Sequence, residues 1–283
     1  MALAVGGRLP GTSLVRTLTA RIVCAVSLSD ECATDPELVV AYGDELARVA
    51  RAHAPAIAYE RGMRALPVDF RSCREARCGD GAGSGLVWRS STGEPVVAFV
   101  HVVDCRVAAL EGARTGDSDC SGARSGNLYL QYWFYYADSA TLRHLPMAGE
   151  RGYHEDDWES FQVRIGPDGE ARVRASSHRG YNYELGPGNW GSDAGIGPLK
   201  AATEALGLRP DGGWGADSGR LHVSGGSHAG NAKSGGLVTR LTPRGRLRLI
   251  PLEPIAGQVA ATDFEITPPW LKPVWTDPES DRT

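Results

Sequence analysis

Seven consecutive residues, Tyr153-His154-Glu155-Asp156-Asp157-Trp158-Glu159, concentrate five side chains able to bind a cation or move a proton. A set dominated by carboxylates with one imidazole suits a hard cation, Ca²⁺, Mg²⁺ or Mn²⁺, better than structural zinc, because hard oxygen donors match hard ions. The segment is not H-E-x-x-H, since Trp158 stands where the second histidine belongs. Side chains alternate across a strand, so Asp157, Glu159, Phe161, Val163 and Ile165 share one face if the strand begins early. Two carboxylates at the rim of an apolar face then need a cation, an arginine or a shared proton, because unpaired buried charge is costly. His154 is expected to approach from the preceding loop. The opposing reading is a solvated acidic turn.

The elements that must position this set are mostly strands. Glu159 to Ile165 alternates, Gly166-Pro167-Asp168-Gly169 supplies a turn, and Ala171 to Ser177 alternates again, the signature of a β-hairpin. Continuous apolar runs at Val96 to Val103 and Leu128 to Tyr136 suit strands covered on both faces. Further strands are expected at Leu221 to Ser224 and Leu237 to Thr242, with Pro243-Arg244-Gly245 turning the last back into Leu247 to Leu252. One helix is well signalled, Pro36 to His53: Thr34 and Glu37 have capping-box spacing, Leu38, Tyr42, Leu46 and Val49 form a stripe, and Pro55 ends it. Gly180 to Pro198 reads as a long loop and the segment after Thr267 as extended. With 36 glycines and 17 prolines in 283 residues, many turns are implied and a helical bundle is disfavoured. The fold class expected is mainly β, a β-sandwich with decorating helices, divided into an N-terminal helical segment (1–54) and a sandwich domain with a divalent-metal cavity (55–283).

Other motifs carry weaker signals. Gly225-Gly226-Ser227-His228-Ala229 approximates the nucleophile elbow G-x-S-x-G, but glycines follow where a helix is required. Ser227 and His228 are then better read as hydrogen-bonding groups near the cavity, with His178 able to join them. Asp117 to Gly122 begins like a calcium loop, yet its twelfth position is Leu128, so a polar turn is expected. The glycine-rich Gly79 to Gly85 lacks a phosphate-binding lysine. The aromatic run Tyr132 to Tyr136 reads as core.

A net charge of −4 and the absence of a basic block exclude the electrostatic footprint of nucleic-acid binding. Only Lys200, Lys233 and Lys272 are lysines, so arginine supplies nearly all the positive charge, which reads as coding-sequence composition. Cys24, Cys32, Cys73, Cys78, Cys105 and Cys120 form three local pairs, whose simplest connectivity is sequential. Cysteine pairing points to an extracellular or cell-envelope location. The first residues lack a signal-peptide core, because Arg16 and Arg21 interrupt it, so a cytoplasmic location stays open. No run is long enough for a transmembrane helix, and nothing specifies an oligomeric state.

The block Tyr153 to Glu159 resembles the G-H-R-H-D-W-E heptapeptide of necrosis- and ethylene-inducing peptide 1-like toxins, and Tyr132 to Ser139 is similar to the strand of that family that ends in an aspartate. Together with Ser176-Ser177-His178 and Gly226-Ser227-His228-Ala229, the same blocks also resemble the vacuolar protein sorting-associated protein sixty-two family. The resemblance runs from about Tyr129 to Ala229. It implies a β-sandwich with a divalent cation in an acidic cavity, held by Asp138, His154, Asp157 and Glu159. Tyr153, Glu155 and Asp156 depart from the toxin pattern, so the implied cation site is carried over and toxicity is not.

The function expected is non-catalytic recognition of a glycan or membrane-lipid head group through Ca²⁺ or Mg²⁺, with Tyr181, Tyr183 and Trp190 as a mobile aromatic rim. The alternative is a metal-dependent hydrolase in which Asp156 or Glu155 acts as general base.

Overall fold

The structure is a computed structural model describing residues 35–61, 63, 65–76, 95–107, 114–115, 118–140, 153–177, 180–183, 213–233 and 235–282. In chain order its elements begin with helix α1 (Pro36–His53), strand β1 (Ala56–Glu60), helix α2 (Phe70–Ala76), β2 (Val97–Asp104) and the short pair β3 (Arg114–Thr115) and β4 (Ser118–Asp119). Next come β5 (Leu128–Ala140), β6 (Tyr153–Ile165), β7 (Ala171–Ser177), β8 (Gly180–Asn182) and β9 (Gly215–Ala216). The last strands are β10 (Arg220–Val223), β11 (Gly230–Asn231), β12 (Val238–Thr242) and β13 (Arg248–Pro251).

The protein is mainly β, as the alternation and turn content require. A seven-stranded sheet runs β13-β2-β5-β6-β7-β8, with β9 also on β7, and a four-stranded sheet runs β11-β10-β1-β12. The continuous apolar runs occupy the middle of the larger sheet, where both faces are covered. On one face Leu130, Tyr132, Phe134, Phe161, Val163 and Val173 meet Ile57, Tyr59, Leu221 and Val223 of the second sheet. On the other, Phe99, Trp133, Tyr135 and Trp158 pack under Phe70, Phe264 and Val274.

Helix α1 is part of the first core: Leu38, Ala47 and Ala50 are buried in it and Tyr132 donates its hydroxyl to the Ala50 carbonyl at 2.6 Å. Thr34 of the expected capping box lies outside the described residues; Asp35 holds the N-cap position and gives its carboxylate to the buried Arg51. Arg51 also donates to the carbonyls of Arg244 and Leu247, each at 2.9 Å. Gly43 adopts φ 80° and kinks the helix, a break the apolar stripe did not announce.

Three expectations are corrected. Strands β12 and β13 do not form a hairpin: the turn at Pro243 carries the chain from the four-stranded sheet to the seven-stranded one, where β13 pairs parallel with β2. The loop expected from Gly180 begins with β8, which pairs with β7. The segment after Thr267 is not extended but makes two tight helical turns, Pro269–Leu271 and Pro273–Thr276, with prolines at the first helical positions where no amide hydrogen is missed. The polar turn near Asp119 is as expected, its carboxylate accepting from the Ser121 amide and hydroxyl. Cys105 and Cys120 are joined in a disulfide, and Cys73 is bonded to a cysteine outside the described residues, where Cys24, Cys32 and Cys78 lie.

The C-terminal segment is strapped across the second face mostly by polar contacts. Gln131 donates to the Val274 carbonyl at 2.8 Å, and the buried Arg174 donates to the carbonyls of Pro278 and Ser280. Trp275 stacks on His101 at 3.6 Å, and His101 Nδ1 lies 2.5 Å from Glu253, which also meets the hydroxyl of Tyr42 on α1. Burial pushes His101 down to about 3 and Glu253 up to about 7, so between those values the pair holds a single proton. The unfolded chain, with ordinary values of 6.5 and 4.5, also holds one proton between pH 4.5 and 6.5. This pair therefore leaves stability level in that window; it lowers stability below it, where the unfolded state binds the second proton first, and slightly above it up to about pH 7, where only the folded pair keeps its proton. In Glu253→Gln the folded His101 stays neutral down to about 3. That variant should lose about 1.4 kcal/mol per pH unit as pH falls from 6.5, a slope absent from the wild-type pair. Denaturant melts of both proteins between about pH 7 and pH 4.5 check this; parallel curves would refute the shared proton.

Candidate functional site

Strand β6 begins at Tyr153, so the entire acidic heptapeptide is strand and pairs with the end of β5: Tyr136 faces Asp157, Asp138 faces Glu155 and Ser139 faces His154. His154 therefore sits on the strand and not in the loop before it. The early start is the one the apolar parity required.

Asp157 is buried and its Oδ2 accepts from His228 Nδ1 at 2.7 Å. His228 in turn stacks on Tyr136, ring centroids 4.0 Å apart and 17° from parallel. Burial, with Tyr59, Glu159 and Asp157, pushes the Tyr136 hydroxyl well above its ordinary pKa. Asp138, fully buried, belongs to the same strand end and accepts from the Tyr153 hydroxyl at 3.4 Å. His154 Nε2 lies 3.9 Å from Asp157 Oδ1.

The turn that delivers His228 is built for that purpose. Glu60 accepts the Gly225 amide at 2.6 Å, Ser139 donates to the Gly226 carbonyl at 3.3 Å, and the His228 amide closes on the Ser224 carbonyl at 3.1 Å. Gly226 has φ 89° and His228 φ 55°; the first is easy for glycine, and the second costs a histidine about 1–2 kcal/mol. No helix follows Ser227, and among the described residues no hydrogen bond joins Ser227 to His228, so the elbow is a hydrogen-bonded turn.

Glu159 takes a different partner. Regular pairing of β6 with β7 stops at Phe161 and Ala175. Beyond it the Ser176 hydroxyl bridges the gap, accepting the Ser160 amide at 2.5 Å and donating to Glu159.

Asp156 departs from the cluster. It too has a left-handed backbone, φ 62°, and its two oxygens accept from the Tyr135 hydroxyl at 2.6 Å and the Glu265 amide at 2.8 Å. It clips the C-terminal strap to the far face, away from any general-base position beside Asp157. Glu155 is exposed, and its amide donates to Glu265 at 2.7 Å.

The expected aromatic rim is not assembled as a rim. Tyr181 is fully buried, its ring under the Arg174 guanidinium at 4.0 Å and its hydroxyl bonded to Gln162 and Ser160. Tyr183 is half-buried, its carbonyl accepting the amides of Ala232 and Lys233. Trp190 and His178 lie outside the described residues.

Sequence reasoning missed Glu60 and Ser139, which act through a turn far from them in sequence. Among the described residues no three His, Cys, Asp or Glu side chains converge as one ligating group, because Asp157 and Glu159 are engaged by His228 and Ser176. Carboxylates with one imidazole are the donor types that a hard cation takes.

The fold and site define a two-sheet β-sandwich with an acidic, histidine-lined cluster at the end of its longest strand pair. No family model, curated protein or solved structure matches the chain. Functional meaning therefore comes from the cluster itself.

Ser176→Ala should destabilise the protein by about 1–3 kcal/mol, the cost of leaving the buried Ser160 amide without an acceptor. Denaturant unfolding checks this; a loss within about 0.5 kcal/mol would mean that the strand gap closes without the hydroxyl.

Proposed function

We propose that this protein is a non-catalytic recognition domain that holds Ca²⁺ or Mg²⁺ at the end of the β5–β6 pair and through it binds a glycan or lipid head group. Asp138, Asp157, Glu159 and His154 are the residues that would hold the cation, which would offer open positions to hydroxyl or phosphate oxygens.

The observation that carries this reading is the 3.9 Å between His154 Nε2 and Asp157 Oδ1. It is too long for a hydrogen bond and lies in the range of about 3–4 Å that two donors sharing one cation span. Asp157 is oriented for that role by His228, and His154, partly exposed, can turn towards it. The placement of Asp156 supports recognition over hydrolysis, since one of its oxygens is committed to the Tyr135 hydroxyl and the other to the strap. The Cys105–Cys120 disulfide suits an oxidising, extracellular or envelope compartment.

Calorimetric titration of the metal-stripped full chain with Ca²⁺, Mg²⁺ and Mn²⁺ tests the reading. Wild type should bind at least one of them, and Asp157→Asn, folded by circular dichroism, should bind at least about tenfold more weakly. A folded wild type that takes up none of the three ions sinks the proposal.

A further inference from the structure

A second constellation sits on the strap-covered face, at the opposite end of the β5–β6 pair from the acid cluster, where Tyr129 is the register partner of Arg164. Arg174 of β7 is fully buried, its guanidinium 4.0 Å from the Tyr181 ring centroid and 4.4 Å from that of Trp214. Arg164 lies 4.8 Å from the same Trp214 ring. Two cations flanking one indole are stable when anions or strong acceptors face them, and residues 277–281, Asp-Pro-Glu-Ser-Asp, provide both. Glu279 is the centre: one oxygen accepts from Arg164 at 2.9 Å and from the Tyr129 hydroxyl at 2.7 Å, the other from Trp214 Nε1 at 2.8 Å. Arg174 donates to the carbonyls of the residues on either side, Pro278 at 2.8 Å and Ser280 at 2.9 Å. Asp277 accepts from Arg124 at 2.7 Å, and Asp281 from the Tyr181 amide at 3.1 Å.

The groove and its occupant are each organised from within. Arg174 is anchored in the sheet by its Nε donating to Gln162 at 3.0 Å, and Gln162 in turn donates to the Tyr181 hydroxyl at 2.8 Å. The occupant closes its own turn: the Ser280 amide donates to the Asp277 carbonyl at 2.9 Å and the Glu279 amide to Asp277 Oδ1 at 3.0 Å. Aspartate and proline are the residues favoured at the first two positions of such a turn. A turn that forms by itself loses little entropy on docking.

We propose that this groove is a binding site for an acidic turn of the Asp-Pro-Glu type carried by a partner protein, and that residues 277–281 occupy it in the free chain. Charge complementarity sets the partner's chemistry: a carboxylate at the third turn position meets Arg164, Tyr129 and Trp214, and one at the first meets Arg124. Lifting the segment opens Arg174 to water, so the emptied groove is not left with a desolvated charge. The claim is independent of the cation reading.

Full-length wild type tests this with an isotope-labelled peptide, Thr-Asp-Pro-Glu-Ser-Asp-Arg-Thr, matching residues 276–283. A tethered segment competes at an effective concentration of about 1 mM, so peptide at about 10 mM should displace it. Amide hydrogen exchange read by mass spectrometry should then show the protein's own 277–282 segment exchanging at least about fivefold faster, and a peptide with glutamine in place of glutamate should have no effect. Full-length Glu279→Gln, with its own segment weakened, should bind fluorescein-labelled peptide at least about tenfold more tightly than wild type does by anisotropy. Unchanged exchange in wild type means that the segment only completes the fold, and it overturns the proposal whether or not Glu279→Gln folds. Equal peptide binding by folded Glu279→Gln overturns it as well. Light scattering of the wild-type samples tests the remaining occupant: dimers that the peptide dissociates would make a second copy the partner and overturn the assignment to another protein.

Discussion

The antiparallel pairing of β5 with β6 is the constraint on which the rest of the molecule depends. Each strand is 13 residues long and buried on both faces along most of its length. Every backbone polar group in such a pair must be satisfied within the sheet, so the register is unforgiving, and a slip of one residue would exchange the two faces. The second sheet and α1 cover one side, and the strap from Glu253 onward covers the other. The same period of two sorts the acidic heptapeptide: Asp157 turns towards His228 and Tyr136, whereas Asp156 turns towards Tyr135 and the strap. One acidic run thus serves two separate tasks.

Buried charge follows a consistent logic. Arg51 and Arg174 are buried, yet each distributes its planar donors over carbonyl or carboxamide oxygens from distant parts of the chain. A guanidinium can do this because its geometry serves several acceptors at once. Lys272 is buried differently, its compact ammonium 5.6 Å from the centroid of the Trp133 ring.

The local physics of strands was legible in the sequence. Alternation and turn chemistry located the β6–β7 hairpin, the apolar runs located β2 and β5, and the stripe before Pro55 located α1. Parity alone put Asp157 and Glu159 on the apolar side. What could not be read is non-local. That β12 and β13 belong to different sheets depends on Arg51 holding the turn between them, a contact spanning almost two hundred residues. Tyr181 looked like a rim residue because its loop is rich in glycine, but Arg174 from the neighbouring strand draws it inward. Ser139 and Glu60 shape the His228 turn from opposite sheets, and neither carries a local signature.

The strap that closes the second face follows every strand in chain order, and this bears on how the molecule is made. While a ribosome is still extruding residues 253–282, the large sheet can form with Phe99, Tyr135 and Trp158 covered only by Phe70 of α2, an adhesive intermediate awaiting the strap. Chaperone occupancy during synthesis would then report on that surface.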